Sequence, residues 1–397
     1  SIIYDSLREI DVGKNMEENI IKSVCLKIDE YIKQIRPRKS VLISFDGVAP
    51  VAKLKQQKER RYRSNMIENM LEEEKVEKHT KFNRAMITPG TPFMKKLDKY
   101  VIEFFNNREM FYGVQEIRVS GASERGEGEH KIFKSIRDRE NKKTEDVHVV
   151  YGLDADLIIL ALNHMSWSRD IYLFRETPEF IKSIKVELDP NEAYLMNIST
   201  LMENICDMMI DKTKKYKNKM NEVDLMKDYV FIMMFMGNDF MPHFPTLNIR
   251  TFGIDMILSI YKKVLGYKGQ RLIINGIIEW RNVRELVSEI AKIEEDNFKK
   301  EYKIRNKISK RYKEKHYDTV EEQLNVIPMV DREMEYYIDP FKYFWQNRYY
   351  EELFGVERNA FNIEKISMNY LEGLQWNMSY YTHGCKNWSW TYKYHYP

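Results

Sequence analysis

A chain of 397 residues exceeds what one hydrophobic core usually supports, so one large domain with an appended lobe, or two domains, is expected. With 64 Lys and Arg against 61 Asp and Glu the net charge is only +3, which excludes a uniformly basic nucleic-acid binder; any such site must be a local cluster of cations. The three cysteines, Cys25, Cys206 and Cys385, form no Cys-x-x-Cys or Cys/His spacing, which argues against disulfides and structural zinc and for a reducing compartment.

The chain opens on a short apolar start, Ile2-Ile3-Tyr4; no signal peptide is legible, and Ser1 in place of Met is taken to mean that the true N-terminus lies upstream. A helix is predicted from about Met16 to Ile35, with Ile20, Ile21, Val24, Leu26, Ile28 and Ile32 as buried positions. Val41 to Phe45 reads as a short buried strand ending at Asp46, and Gly47 and Pro50 then turn the chain. From Ala52 nothing breaks a helix until well past residue 70. On it Lys53, Gln57, Arg60 and Arg61 sit at i, i+4, i+7 and i+8 and share one face. An acid at a strand end can hold a divalent cation and a basic helix face can hold a phosphate, which is the pairing a phosphodiester-cleaving enzyme needs. Taken alone, such a basic run is more commonly a solvated surface helix.

Ile87-Thr88-Pro89-Gly90-Thr91-Pro92 forbids regular structure and reads as a loop, followed by a helix from about Phe93 to Phe105. Val119 to Arg137 reads as a glycine-rich loop and a helix starting near Glu129, with Ile132, Phe133 and Ile136 on its buried face. A strand over 147–153 delivers Asp154 and Asp156 at its C-terminal end, and Leu157 to Leu162 begin a helix. Further helices are predicted from about Asn197 to Lys219 and from about Val223 to Met236, the latter stopping at Gly237 before Asn238 and Asp239. Tyr229 to Gly237 is the longest apolar run, less than half of a membrane span. Residues 284–323 are dense in Lys, Arg and Glu, a long exposed helix or a poorly ordered connector. Residues 335–397 are markedly aromatic, most of them expected to be core. The alternation of strand and helix predicts an α/β fold, a mainly parallel central sheet flanked by helices, with a helical, aromatic-rich C-terminal lobe.

Six carboxylates stand at strand ends or beside glycines: Asp46, Glu127, Glu129, Asp154, Asp156 and Asp239. Glu127 and Glu129 can converge only if Glu127 is still in the loop, which Gly126 and Gly128 permit. Asp154-x-Asp156 by itself is more often a turn than a ligand pair, but four separate loops bringing acids to one sheet edge make a stronger signal together. The count favours two ions, and ligands that are all oxygens favour Mg²⁺ or Mn²⁺. Asp239, just past a helix C-terminus, opposes the helix dipole and needs a cation or hydrogen-bond donors to meet it.

The chain resembles the Xrn 5′→3′ exoribonucleases. The resemblance lies in FDGVAPVAKLKQQKERRYRS at 45–64, ITPGTPFM at 87–94, GEGEHKI at 126–132, GLDADLIILAL at 152–162, GNDFMPHFP at 237–245, FKYFWQNRYYEELFG at 341–355 and HGCKNWSWTYKYHYP at 383–397, in the family's order. It implies a divalent-metal nuclease of the flap-nuclease and PIN-like superfamily that removes nucleotides from the 5′ end of single-stranded RNA bearing a 5′-monophosphate. By the same resemblance Asp46, Glu127, Glu129, Asp154, Asp156 and Asp239 match the metal-binding catalytic acids, and Lys53, Gln57, Arg60 and Arg61 match the 5′-phosphate pocket. A further family acid, in an Asp-x-Asn-Ser motif whose Ser would be Ser1, is expected three residues upstream. Tyr4 stands where the family usually has a base-stacking His, and its partner in the sandwich would be Trp388 or Trp390. The expected organisation is a nuclease region over 1–283, a charged helical connector over 284–334 and the family's second region over 335–397. The family's cellular members continue beyond the point where this chain stops, so a minimal or truncated version, of viral or otherwise divergent origin, is expected; the absence of a clear nuclear signal and of a zinc knuckle points to the cytoplasm. Two rivals stand beside this reading: a catalytically impaired, nuclease-derived RNA-binding or scaffold protein, and a DNA flap nuclease.

Overall fold

The chain folds as two interleaved units, the first made of Ser1–Pro50, Glu77–Leu201 and Tyr381–Gly384, the second of Val51–Val76, Met202–Tyr380 and Cys385–Pro397. The computed structural model describes residues 2–10, 15–73, 82–140, 146–176, 192–210 and 221–397. The chain begins with helices α1 (Ile2–Glu9) and α2 (Met16–Ile35), then strand β1 (Ser40–Ser44). It leaves for the second unit as α3 (Val51–Glu73) and returns as α4 (Pro92–Phe105), α5 (Glu109–Tyr112), β2 (Glu116–Ser120), α6 (Gly128–Glu140), β3 (His148–Tyr151), α7 (Asp156–His164), β4 (Ile171–Glu176) and β5 (Ala193–Asn197). Helix α8 (Ile198–Met209) carries it across again, and the second unit continues with α9 (Glu222–Met234), α10 (Gly253–Val264), the hairpin β6 (Ile273–Ile274) and β7 (Ile277–Ile278), α11 (Trp280–Lys313), α12 (Val320–Val330), α13 (Glu333–Ile338), α14 (Trp345–Phe354) and α15 (Ala360–His383), whose last turn from Tyr381 belongs to the first unit. Among the described residues no helix is long and apolar enough to cross a membrane.

In the first unit, apolar residues at helical spacing build the core. Ile20, Ile21, Val24, Cys25, Ile28 and Ile32 of α2 meet Phe93, Leu97, Val101 and Phe105 of α4, with Ile43 and Phe45 from the β1 segment. Each such side chain contributes about 1.5–3 kcal/mol on burial. Pro92 opens α4 where its missing N–H costs nothing, and the Thr91 hydroxyl accepts the Met94 N–H. β1 and β2 pair in parallel from Ser40–Glu116 to Ser44–Ser120; β3 pairs in parallel with β4, which pairs antiparallel with β5. The expected parallel pairing is therefore present, divided among the described residues between two small sheets.

Several expectations are corrected by packing. Leu26 is 60% exposed and Cys25 takes its place in the core, because 25 and not 26 continues the 21–28–32 face. The apolar start is the amphipathic helix α1. Val119 and Ser120 end strand β2 and are not loop; the polar alternation of Glu116 and Arg118 hides it. The helix expected over 197–219 is seen as α8, and residues 211–219 lie outside the described residues, as does Ser1. The charged stretch from 284 is the continuous helix α11, with Val283, Leu286 and Ile290 buried along one face. The aromatic C-terminal residues divide: Tyr370, Trp376, Tyr380 and Tyr392 are core, whereas Tyr336, Tyr337, Phe341, Tyr343 and Phe344 are exposed, Tyr343 by 92%.

In the second unit Asp228 is buried, and the Tyr261 hydroxyl and the Leu272 and Ile273 N–H groups donate to it. That network fastens α9 to α10 and to the hairpin segment, where an unpaired buried carboxylate would cost several kcal/mol.

Candidate functional site

Asp46 follows β1, and its Oδ1 accepts the Gly128 N–H at 2.6 Å, the first residue of α6. A carboxylate at a helix N-terminus satisfies an orphan donor and complements the dipole. The loops on either side are joined through the main chain: the Gly47 N–H donates to Gly126 O at 2.8 Å and the Gly126 N–H to Val48 O at 2.9 Å. A Cβ on Gly47 would lie 1.7 Å from Glu124 O, and Gly126 has φ +103°, so each glycine is demanded by its place. Asp98 holds the other end of this loop by accepting the Ala122 N–H on both oxygens.

Glu127 immediately precedes α6 and is only 5% exposed; Glu129 lies in its first turn. Glu127, Glu129 and His130 form a group whose ligand atoms all lie within 4.8 Å of one another. Two carboxylates and an imidazole fit a divalent cation: the oxygens suit Mg²⁺ or Mn²⁺, and the nitrogen is better tolerated by Mn²⁺. The His130 ring stands edge-on to Tyr381 at 5.9 Å. Next in sequence, the Lys131 ammonium donates to Phe45 O and Gly121 O, both at 2.9 Å, clamping the ends of β1 and β2. Burial holds its pKa below the usual lysine value, against the pull of Glu124, Asp46 and Asp98. Asp154 and Asp156 stand outside the Glu127–Glu129–His130 group. Asp154 is exposed, and its Oδ1 faces the Asp156 N–H at 3.4 Å, a loose turn entering α7.

In the second unit Asp239 follows α9 in a tight turn: Gly237 has φ +81°, and Asn238 Oδ1 accepts the Phe240 and Met241 N–H groups. Lys53 forms an ion pair with Asp239, Gln56 donates to it, and Arg60 lies 3.4 Å away. These three are at i, i+3 and i+7 on α3 and form one stripe. They are the cation and donors that an acid beyond a helix C-terminus requires. Gln57 is half-buried and Arg61 exposed on the same helix. Tyr4 is 45% exposed on α1. Trp390 stacks on Trp376 at 4.9 Å, and Trp376 on Tyr380 at 5.0 Å, so Trp390 is the end of an aromatic column. Trp388, half-buried, accepts the Val51 N–H on its carbonyl at 2.9 Å and so fixes the start of α3.

The sequence reading missed His130, Lys131, Gln56 and Asp98 as site-forming residues. Adjacency to Glu129 marks His130, and the i+3 spacing from Lys53 marks Gln56; for Asp98 no local signal exists.

Comparison with known proteins places these features. The family model described as XRN 5'-3' exonuclease N-terminus matches residues 1–177, and the one described as Xrn1 helical domain matches residues 216–337 and 338–397. The chain is 27% identical to 5'-3' exoribonuclease 2 of Arabidopsis thaliana, over 93% of this chain and 49% of that protein. It is 32% identical to 5'-3' exoribonuclease 2 of Schizosaccharomyces pombe, over 72% of this chain and 33% of that protein. Against 5'-3' exoribonuclease 1 of Homo sapiens identity is 27%, over 96% of this chain and 25% of that protein. The chain thus spans about half, or less, of the length of these relatives. With the two family models together matching all but residues 178–215, the chain belongs to the Xrn family.

Proposed function

We propose that the protein is a metal-dependent 5′→3′ exoribonuclease that releases 5′-mononucleotides from single-stranded RNA bearing a 5′-monophosphate. The observation that carries this reading is the acid loop of the first unit: Asp46 bonded to Gly128 between two glutamates, beside an imidazole, at the end of a strand. Membership in the Xrn family supports it, as do relatives named 5'-3' exoribonuclease. We read the parallel pairs β1–β2 and β3–β4 as parts of the central sheet of a PIN-like fold, and 1–283, 284–334 and 335–397 as its functional regions.

Asp46, Glu127, Glu129, Asp154 and Asp156 are assigned to holding two Mg²⁺ or Mn²⁺ ions, and Asp239 keeps the same role by its match to the family block. Such ions, when bound, lower the pKa of an attacking water and stabilise the leaving 3′-oxygen. Lys131 keeps the carbonyl ends of β1 and β2 in place, so the acids project from a fixed frame. Lys53, Gln57, Arg60 and Arg61, with Gln56 added, are assigned to the terminal phosphate; a carboxylate already sits on Lys53, Gln56 and Arg60, which are therefore disposed to receive an anion. Tyr4, with Trp388 or Trp390, is assigned to stacking on a base. Contacts to phosphate and stacking faces read no base identity.

The test compares mononucleotide release from one RNA sequence with a 5′-monophosphate, 5′-hydroxyl or 5′-triphosphate end, in Mg²⁺ and in Mn²⁺. Preference for the monophosphate by about tenfold or more is expected, since a 5′-hydroxyl end forfeits one set of charge-assisted hydrogen bonds and a triphosphate is too bulky and too highly charged for the pocket. Equal rates on all three ends would remove the phosphate-pocket assignment, and tight RNA binding without hydrolysis would favour the scaffold reading.

A further inference from the structure

An open depression of about 630 Å³ lies between α10 and α11 in the second unit. Lys263 and Lys268, from the end of α10 and the turn after it, face Arg281, Arg284 and Lys292 of α11. Two carboxylates share the walls: Glu285 pairs with Lys268 at 3.0 Å, and Glu289 is divided between Lys263 at 3.6 Å and Lys292. Among the described residues no carboxylate pairs with Arg281 or Arg284. Five cations against two carboxylates leave three positive charges in one depression, as many as the whole chain's net +3.

Folding alone gives no return for this arrangement. Arg281 and Arg284 lie in the first two turns of a helix of 34 residues, where the unpaired N–H groups already present the positive end of the dipole. That first turn contains no acid, and Glu279 at the N-cap makes no side-chain cap bond. Cations at such a place are locally unfavourable, and exposed lysine–glutamate pairs worth at most about 1 kcal/mol open readily to other anions. A bound anion offsets both, and two guanidinium forks match phosphate oxygens in shape as well as charge.

We propose that this depression binds internal phosphates of the RNA strand, a second phosphate site besides the one on α3. The inference rests on the RNA-acting function proposed above and adds to it a grip on the body of the substrate. Charge, not base identity, is what the site reads.

The test measures binding by the full chain, in EDTA to prevent hydrolysis, of 5′-monophosphorylated single strands of roughly 30 and roughly 4 nucleotides, across a salt series. Arg281→Ala with Arg284→Ala is expected to weaken the long RNA about tenfold at low salt. It should also lower the slope of log affinity against log salt by about 1.4, or about 0.7 for each phosphate no longer neutralised. Affinity for the short RNA should stay unchanged, and Arg281→Lys with Arg284→Lys should keep the parent slope. An unchanged slope on long RNA in the alanine variant would overturn the inference, as would an equal loss on the short one. A parent protein that neither binds nor hydrolyses RNA would instead remove the function on which the inference rests, whereas an active parent with an unchanged slope removes the depression alone.

Discussion

Asp46 is bonded to a main-chain N–H, and the loop before Glu127 is joined to the loop after β1 by reciprocal backbone bonds. Lys53, Gln56 and Arg60, by contrast, reach Asp239 through long side chains on one helix. The acids of the first unit are thus set by backbone that has little freedom to shift, and the cations of the second by rotamers that can swing. The contrast suits the two tasks proposed for them. A cation needs oxygens at distances held to a few tenths of an ångström, whereas a flexible 5′ end needs donors that can follow it. It also predicts that damage to the first region comes from added atoms and damage to the second from removed ones.

Gly47→Ala should produce the largest effect, a loss of about 3 kcal/mol or more in urea unfolding, because its Cβ would meet the Glu124 carbonyl at 1.7 Å and backbone must move. A loss under about 0.5 kcal/mol would show that the loops are not rigidly joined. Glu127→Gln, which keeps shape and removes charge, should lower divalent-ion affinity and RNA hydrolysis by more than about 100-fold while leaving the unfolding midpoint near the parent value; if Glu127 is the direct ligand proposed, its loss should exceed the 10–100-fold typical of outer partners. Isothermal titration with Mn²⁺ reads the first quantity without relying on turnover.

Lys53→Ala should be milder, raising KM for 5′-monophosphate RNA about tenfold and leaving 5′-hydroxyl RNA unaffected, since Gln56 and Arg60 remain to share the anion. A collapse of kcat on both substrates would instead place Lys53 in a structural role through Asp239.

A pH-dependent effect concerns the brace behind α6. His164 of α7 is buried; Arg137 of α6 donates to its Nε2, and its Nδ1–H donates to Leu160 O at 2.7 Å. Burial pushes its pKa down to about 3, helped by the Arg137 charge. The ring is neutral in the fold and titrates near 6.5 when unfolded, so its contribution is complete above about pH 6.5 and is lost as pH falls toward 3. Stability should decline by up to about 1.4 kcal/mol per pH unit across that window, and His164→Gln should flatten the decline in urea melts taken between about pH 6.5 and 4.

The residue order by itself determined α2, α3 and α4, because apolar spacing, the Thr91–Pro92 start and the absence of breakers are local facts. It also placed the acids beside glycines and strand ends, since Gly and Asp announce turns wherever they stand. Tertiary structure alone decided that Glu116–Ser120 pairs with β1, that His130 joins the two glutamates, that Gln56 and not Gln57 meets Asp239, and that Trp390 belongs to an aromatic column. It alone set Arg281 and Arg284 of α11 opposite Lys263 of α10. The reason is common to all of these. Periodicity tells which residues share a face, but which side chain on that face finds a partner depends on groups tens or hundreds of residues away, whose approach is fixed only when the core closes.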